Sequence, residues 1–204
     1  MAGILKASIF LHFQSNFEQK CITLFENAYQ TSITNNIIEL DFDENDITAV
    51  LHKYIDENPK RRKWSIVTNV ENFIYDETKI PVKGFAPKFS RIDMRFAKID
   101  WLNNEYTYFV EAKNLKSNDS ALKRRYINTG IDNFLVGGKY VECAGLLVGY
   151  ILDGTTIECV DNGVNKLLIK DGRSKEIIQT DSSNNYQSQH QERTLKHLFF
   201  DFVN

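Results

Sequence analysis

Apolar residues recur along this chain with two different periods, and the switches between those periods outline its elements. Over residues 43–55, Ile47, Val50, Leu51, Tyr54 and Ile55 follow the i, i+3, i+4, i+7, i+8 spacing of an amphipathic helix. Asp41 or Asp43 can cap its first turn, and Glu57, Asn58 and Pro59 end it. The basic run Lys60, Arg61, Arg62 and Lys63 leads into residues 64–70, which read as a strand. A period of two then takes over. In residues 91–96, Ile92, Met94 and Phe96 alternate with Arg91, Asp93 and Arg95; in residues 106–113, Thr107, Phe109, Glu111 and Lys113 share one face and Tyr106, Tyr108, Val110 and Ala112 the other. Asn103 and Asn104 supply a hairpin turn between the two strands. Residues 120–134 suit a helix, with Asn118, Asp119 and Ser120 as capping candidates, and the apolar run 144–152 suits a buried strand.

Helix, three strands, helix and strand in that order predict an α/β fold, a central mixed β-sheet flanked by helices. Before this core of residues 43–152, residues 4–13 are apolar without a clear period and residues 17–29 suit a helix, neither with an assignable role. After it, residues 153–204 are expected to add further strands and a polar loop at 180–191. No repeat or linker interrupts the 204 residues, which are enough for one substantial core, so a single domain is expected.

Composition changes the picture in two places. No stretch reaches the ~20 consecutive apolar residues of a membrane span, and the first residues lack a basic leader with a cleavage site, so the expectation is a soluble cytoplasmic protein without a membrane partner. The three cysteines, Cys21, Cys143 and Cys159, are far apart and read as buried free thiols rather than a disulfide framework or zinc knuckle. The net charge of −2 conceals an asymmetry: residues 60–140 carry 16 Lys and Arg against 9 Asp and Glu, and the remainder 9 against 18. A basic middle is what a phosphate-facing surface leaves in a sequence, although ordinary solvated side chains can give the same counts.

The chemistry-bearing residues lie in that basic middle. Cutting a phosphodiester asks for a Lewis acid, a means of making hydroxide, and placement of both; carboxylates holding Mg²⁺ or Mn²⁺ with a lysine alongside can provide all three. Asp93, Glu111 and Lys113 have the required types, and the two-residue interval from Glu111 to Lys113 projects those side chains side by side on a strand. The backbone carbonyl of Ala112 can give a metal another oxygen.

An Asp on one strand followed by Glu-x-Lys on the next resembles the signature of the PD-(D/E)XK, restriction-endonuclease-like nucleases; here it reads Ile92-Asp93, then after eighteen positions Glu111-Ala112-Lys113. Isoleucine stands where that signature has proline. The resemblance covers residues 43–152 and implies a restriction-endonuclease-like core, a metal-dependent endonuclease acting on double-stranded DNA in restriction or antiviral defence, and a helicase or ATPase partner. It further implies an extra acidic ligand on the first helix, for which Glu44 is the choice and Asp43 the fallback. Polar residues on the helix after Glu-x-Lys, namely Lys123, Arg124, Arg125, Tyr126 and Asn128, would complete the site or touch phosphates, with Arg91 and Arg95 beside Asp93. Cutting both strands asks for two sites and hence a homodimer. The ending Ser188-Gln189-His190, Arg193, His197-Leu198-Phe199-Phe200 resembles the C-terminal part of nuclease-like proteins from anti-phage systems.

Other readings of the same residues stand beside this one. Glu-x-Lys can be a salt bridge on a solvated sheet face, and the run from Lys60 to Lys63 a solvated loop instead of a DNA grip. Gly137-Gly138 ahead of Lys139 reads as a helix cap rather than a phosphate loop. His12 and His52 read as structural, and His190 and His197 as surface or half-buried groups that could face a substrate or partner. No Ser-His-Asp or Cys-His arrangement has the local context of a nucleophile. The rival function is a catalytically idle subunit binding nucleic acid or protein.

Overall fold

The computed structural model of the chain describes residues 2–74, 90–99, 105–180 and 185–203. A mixed seven-stranded sheet runs in the order β1-β2-β3-β4-β7-β6-β5, with β1 Val67–Ile74, β2 Ser90–Ile99, β3 Glu105–Lys116, β4 Gly145–Asp153, β5 Gln179–Thr180, β6 Tyr186–Gln189 and β7 Thr194–Asp201. β1, β2 and β3 pair antiparallel; β3, β4 and β7 pair parallel. β4 lies between two parallel neighbours with both faces covered, which is why it reads as an unbroken apolar run.

Helices cover the two faces of the sheet, each over its own apolar core. On one face lie α1 (Ala2–Asn35) and α2 (Glu44–Glu57), so residues 4–13 and 17–29 belong to one 34-residue helix. From Phe17 onward it packs Phe17, Cys21, Leu24, Phe25 and Ala28 against the sheet, whereas Ile9, Leu11 and Phe13 stay exposed and the half-exposed Phe10 stacks on Tyr106. α2 starts and stops where its sequence predicts. The Asp43 carboxylate accepts from Asn45 N at 2.8 Å and Asp46 N at 2.9 Å, and Asp46 returns the bond to the Asp43 amide. Ile47, Leu51 and Ile55 are completely buried, each contributing about 1.5–3 kcal/mol. The basic run forms a short helix, α3 (Pro59–Lys63), capped by Asn58.

On the other face, α4 (Ser120–Arg125) is capped by Asp119 and continues as a π-helical turn, Tyr126–Gly130, and a 3₁₀ turn, Ile131–Phe134. The predicted helix over 120–134 is therefore present as one path with three hydrogen-bonding patterns. A second π-helical stretch, Ile157–Asn165, runs into α5 (Lys166–Lys170) on the same side. No helix among the described residues is long and apolar enough to cross a membrane. All three cysteines are free and buried.

Three expectations need correction or fall outside the described residues. The polar stretch 180–191 is not wholly a loop: residues 186–189 form β6, because their backbone pairs with β7 while Ser188 turns inward. Alternation in β2 is broken, since Met94 and Phe96 enter one core and Ile92 the other. The Asn103-Asn104 turn lies outside the described residues.

Candidate functional site

The break in β2 positions the site. Pairing between β2 and β3 runs from Ile99↔Glu105 to Met94↔Val110, and there the two backbones part. Asp93 is the next residue of β2, and its Oδ2 accepts the Ala112 amide at 2.7 Å, so the carboxylate replaces a ladder carbonyl and is fixed beside β3. Glu111 and Lys113 project from β3 next to it. Lys113 Nζ donates to Glu111 Oε1 at 2.7 Å and to the Ala112 carbonyl at 2.6 Å. Both side chains are almost fully buried, at 7% exposure each.

α2 supplies the fourth member. Glu44 Oε2 accepts the Asn114 amide at 3.0 Å, while Oε1 pairs with Arg125 at 2.9 Å and lies 3.8 Å from Lys113 Nζ. Asp43, the alternative, is spent on capping. Asp93, Glu111, Lys113 and Glu44 are thus brought together as the sequence reading places them.

Electrostatics follow from this crowding. Burial first, and then the neighbouring Asp93 charge, push the Glu111 carboxyl up to about 7, with Lys113 pulling the other way. Asp93 is also raised, chiefly by burial; Lys113 and the Ala112 amide oppose this, and Glu44 and Glu71 add to it. Among the described residues one oxygen, Glu111 Oε2, is buried without a hydrogen-bond donor, the neighbouring Tyr140 hydroxyl giving its proton to the Arg91 carbonyl instead. An unpartnered carboxylate oxygen in a low-dielectric pocket is costly and is satisfied by a cation or a proton.

The all-oxygen donor set suits a hard divalent cation, and the orphaned Glu111 Oε2 fits one. Lys113 competes with it by engaging Glu111 Oε1 and the Ala112 carbonyl. No cluster of three or more His, Cys, Asp or Glu arranged to hold a metal occurs among the described residues.

The basic candidates are distributed unevenly. Arg125 joins the site through Glu44. Asn128 is exposed, one turn beyond Arg125. Lys123, expected to face phosphate, is buried, because its stem packs under Gly163 and its ammonium donates to the Ser117 carbonyl at 2.6 Å. Arg124 pairs with Asp171, and Arg95 with Glu105. The Arg91 side chain is exposed, and its carbonyl accepts the Tyr140 hydroxyl.

Two neighbours escaped the sequence reading. Tyr140, which follows the Gly137-Gly138-Lys139 run, has its hydroxyl beside Glu111; only the tertiary path places it there. Glu71 lies across from Asp93 in the β1–β2 register, between Val70↔Met94 and Asn72↔Ile92, with φ +50. With Asn45, Thr48, Ala49, Val70 and Asp93 it lines a cavity of about 170 Å³. Of the histidines, His52 holds a structural place as expected and the others differ. His12 is exposed, His52 bonds Thr68 at 3.1 Å, and His190 and His197 are buried rather than surface or half-buried, for they satisfy one another through Ser188.

No protein-family model, curated protein or solved structure matches the chain.

Proposed function

We propose that this protein is a metal-dependent nuclease that cleaves phosphodiester bonds in DNA at the junction of β2, β3 and α2, on a restriction-endonuclease-like core. The observation that carries the reading is the convergence of Asp93, Glu111, Lys113 and Glu44 where β2 and β3 part, with Glu111 Oε2 buried and without a donor among the described residues. Asp93 and Glu111 would hold Mg²⁺ or Mn²⁺, with Glu44 and the Ala112 carbonyl as further oxygens. A bound ion supplies Lewis acidity and a water of lowered pKa.

The chain's own groups account for the rest. Lys113 keeps a positive charge within reach of Glu111 and Glu44, where it can orient the attacking water and balance charge developing on the phosphate. Burial holds the metal-free Glu111 carboxyl up at about 7, and a cation on its oxygens would keep it ionised, so it would serve as a ligand rather than as a proton carrier. The amide of Ala112 holds Asp93 in one orientation. Arg125 and Asn128 lie on the approach, where a DNA backbone would pass. Restriction or antiviral defence, double-stranded DNA as substrate, a helicase or ATPase partner, a homodimer and a cytoplasmic setting are parts of the same proposal.

One observation favours a second reading, an idle binding subunit: the Lys113 ammonium already engages two of the oxygens a cation would use. Incubating supercoiled plasmid with Mg²⁺ or Mn²⁺, beside Glu111→Ala, Lys113→Ala and an EDTA control, separates the two. The nuclease nicks or linearises the plasmid, chelation stops it, and both variants remain folded and silent. An idle subunit binds DNA with a steep salt dependence and cuts nothing under any condition.

A further inference from the structure

On the face of the sheet that carries α4, five polar side chains form an unbroken hydrogen-bonded line. Glu176 Oε2 meets His190 Nδ1 at 2.7 Å, and His190 Nε2 meets Ser188 Oγ at 2.7 Å. Ser188 Oγ meets His197 Nε2 at 2.8 Å, and His197 Nδ1 meets the Tyr126 hydroxyl at 2.9 Å. Tyr126, His197, Ser188 and His190 are buried, whereas Glu176 sits at the mouth, paired with Arg173, which also binds Asp132. Glu176, His190 and Ser188 have the mutual contacts of an acid–base–nucleophile triad. Ser188 is only 1% exposed, however, and its oxygen is flanked by a second imidazole, so no acyl group can reach it.

Counting protons gives the line a direction. With neutral imidazoles and an ionised Glu176, Tyr126 donates to His197 Nδ1, His197 Nε2–H to Ser188, Ser188 to His190 Nε2, and His190 Nδ1–H to the carboxylate. Every link then has one proton and one acceptor. A fifth proton, taken up on His190, sets an N–H on each side of Ser188, and the inner links are remade in reverse when His197 moves its proton from Nε2 to Nδ1. His190 Nε2–H donates to Ser188, Ser188 to His197 Nε2, and His197 Nδ1–H to the Tyr126 oxygen. The Tyr126 proton is then left without its acceptor in a completely buried position.

Tyr126 opens the π-helical turn directly after Arg125, whose guanidinium binds Glu44. His197 lies in one cross-sheet row with Leu147 and Glu111, two strands from the candidate site. We propose that the line from Glu176 to Tyr126 is a proton-operated latch, which holds the Tyr126 turn against the sheet at neutral pH and releases it when one proton enters. Its effect on Arg125 rests on the nuclease reading; the latch does not.

The surroundings favour the unprotonated state. Burial drives His197 down to about 3, with His190 adding to the effect. Burial also lowers His190, where Arg173 acts in the same direction and Glu176 and Asp132 act against it.

Long-range ¹H–¹⁵N spectra of the imidazoles test the direction of the line. At pH 7.5, His197 is expected to carry its proton on Nε2 and His190 on Nδ1; the opposite tautomers, or a charged ring at that pH, overturn the proposal. Amide hydrogen exchange tests the release. Protection of residues 126–130, taken relative to β4 amides, should fall at least tenfold as wild type is acidified. In Ser188→Ala, which cuts the line, and in Tyr126→Phe, which removes its end while keeping the ring, that pH dependence should vanish. If all three proteins show the same pH-independent ratio, there is no latch. None of these readouts involves DNA or metal, so they stand or fall separately from any cleavage result.

Discussion

Replacing Glu111 by glutamine removes a charge that the fold holds at a cost. The carboxyl is displaced from its ordinary 4.5 to about 7, burial being the main cause. A pH unit of displacement corresponds to about 1.4 kcal/mol, so keeping Glu111 ionised in the folded chain costs about 3 kcal/mol. The sign follows from proton binding. Between pH 4.5 and about 7 the folded protein retains a proton that the unfolded chain has released. This contribution to stability is therefore complete below about 4.5 and is lost as pH rises through about 7. Glu111→Gln lacks the titration while keeping the side-chain shape, and Lys113 retains the Ala112 carbonyl and Glu44. Urea unfolding of both proteins, in steps from pH 4.5 to 8.5, should give a stability difference that moves in the variant's favour by about 3 kcal/mol. Groups remote from Glu111, including His190 and His197 with their opposite slope, cancel in the difference. A difference that stays flat, or moves against the variant as pH rises, would refute the reasoning and mean that Lys113 holds the carboxylate charged throughout.

Four further outcomes are expected. Asp93→Asn can still accept the Ala112 amide, so its melting temperature should stay within a few degrees of wild type; under the proposed nuclease function, initial rates of plasmid cleavage should fall by about 100-fold or more. Arg125→Ala should reduce the log–log salt slope of DNA binding by about one. Lys123→Met should leave that slope unchanged but lose about 1–3 kcal/mol of stability in denaturant titrations, because the Ser117 carbonyl loses its donor. Gly149→Ala would put a Cβ 2.6 Å from the Phe199 ring and 2.8 Å from Leu115, so a loss of about 1–3 kcal/mol is expected in the same assay.

Local chemistry was the legible part of this sequence. The Asp43 cap, the α2 stripe and the Glu111 and Lys113 phase depend on neighbours within a few residues, and each is found where the pattern places it. What failed depends on distant partners. Ile9, Leu11 and Phe13 blur the period of α1, because these apolar side chains stay exposed where the residues from Phe17 onward are packed. Lys123 looks like a surface cation until Gly163, forty residues on, makes room for its stem. His190 and His197 read as surface or half-buried groups because their full burial is made possible by one another, by Ser188 and by Tyr126. The break at Asp93 left no mark, since Ile92, Met94 and Phe96 alternate faithfully in sequence and enter different cores in space.

The position of β7 in the sheet bears on how the chain folds. β4 is almost fully buried, yet its second edge is closed by residues 194–201, synthesised more than forty residues later. Until they arrive, a nascent chain presents an apolar strand with an open row of amides and carbonyls, the arrangement that invites pairing with another chain. Truncation before Thr194 would leave that edge open permanently, and such fragments should be recovered as aggregates rather than as a smaller folded core.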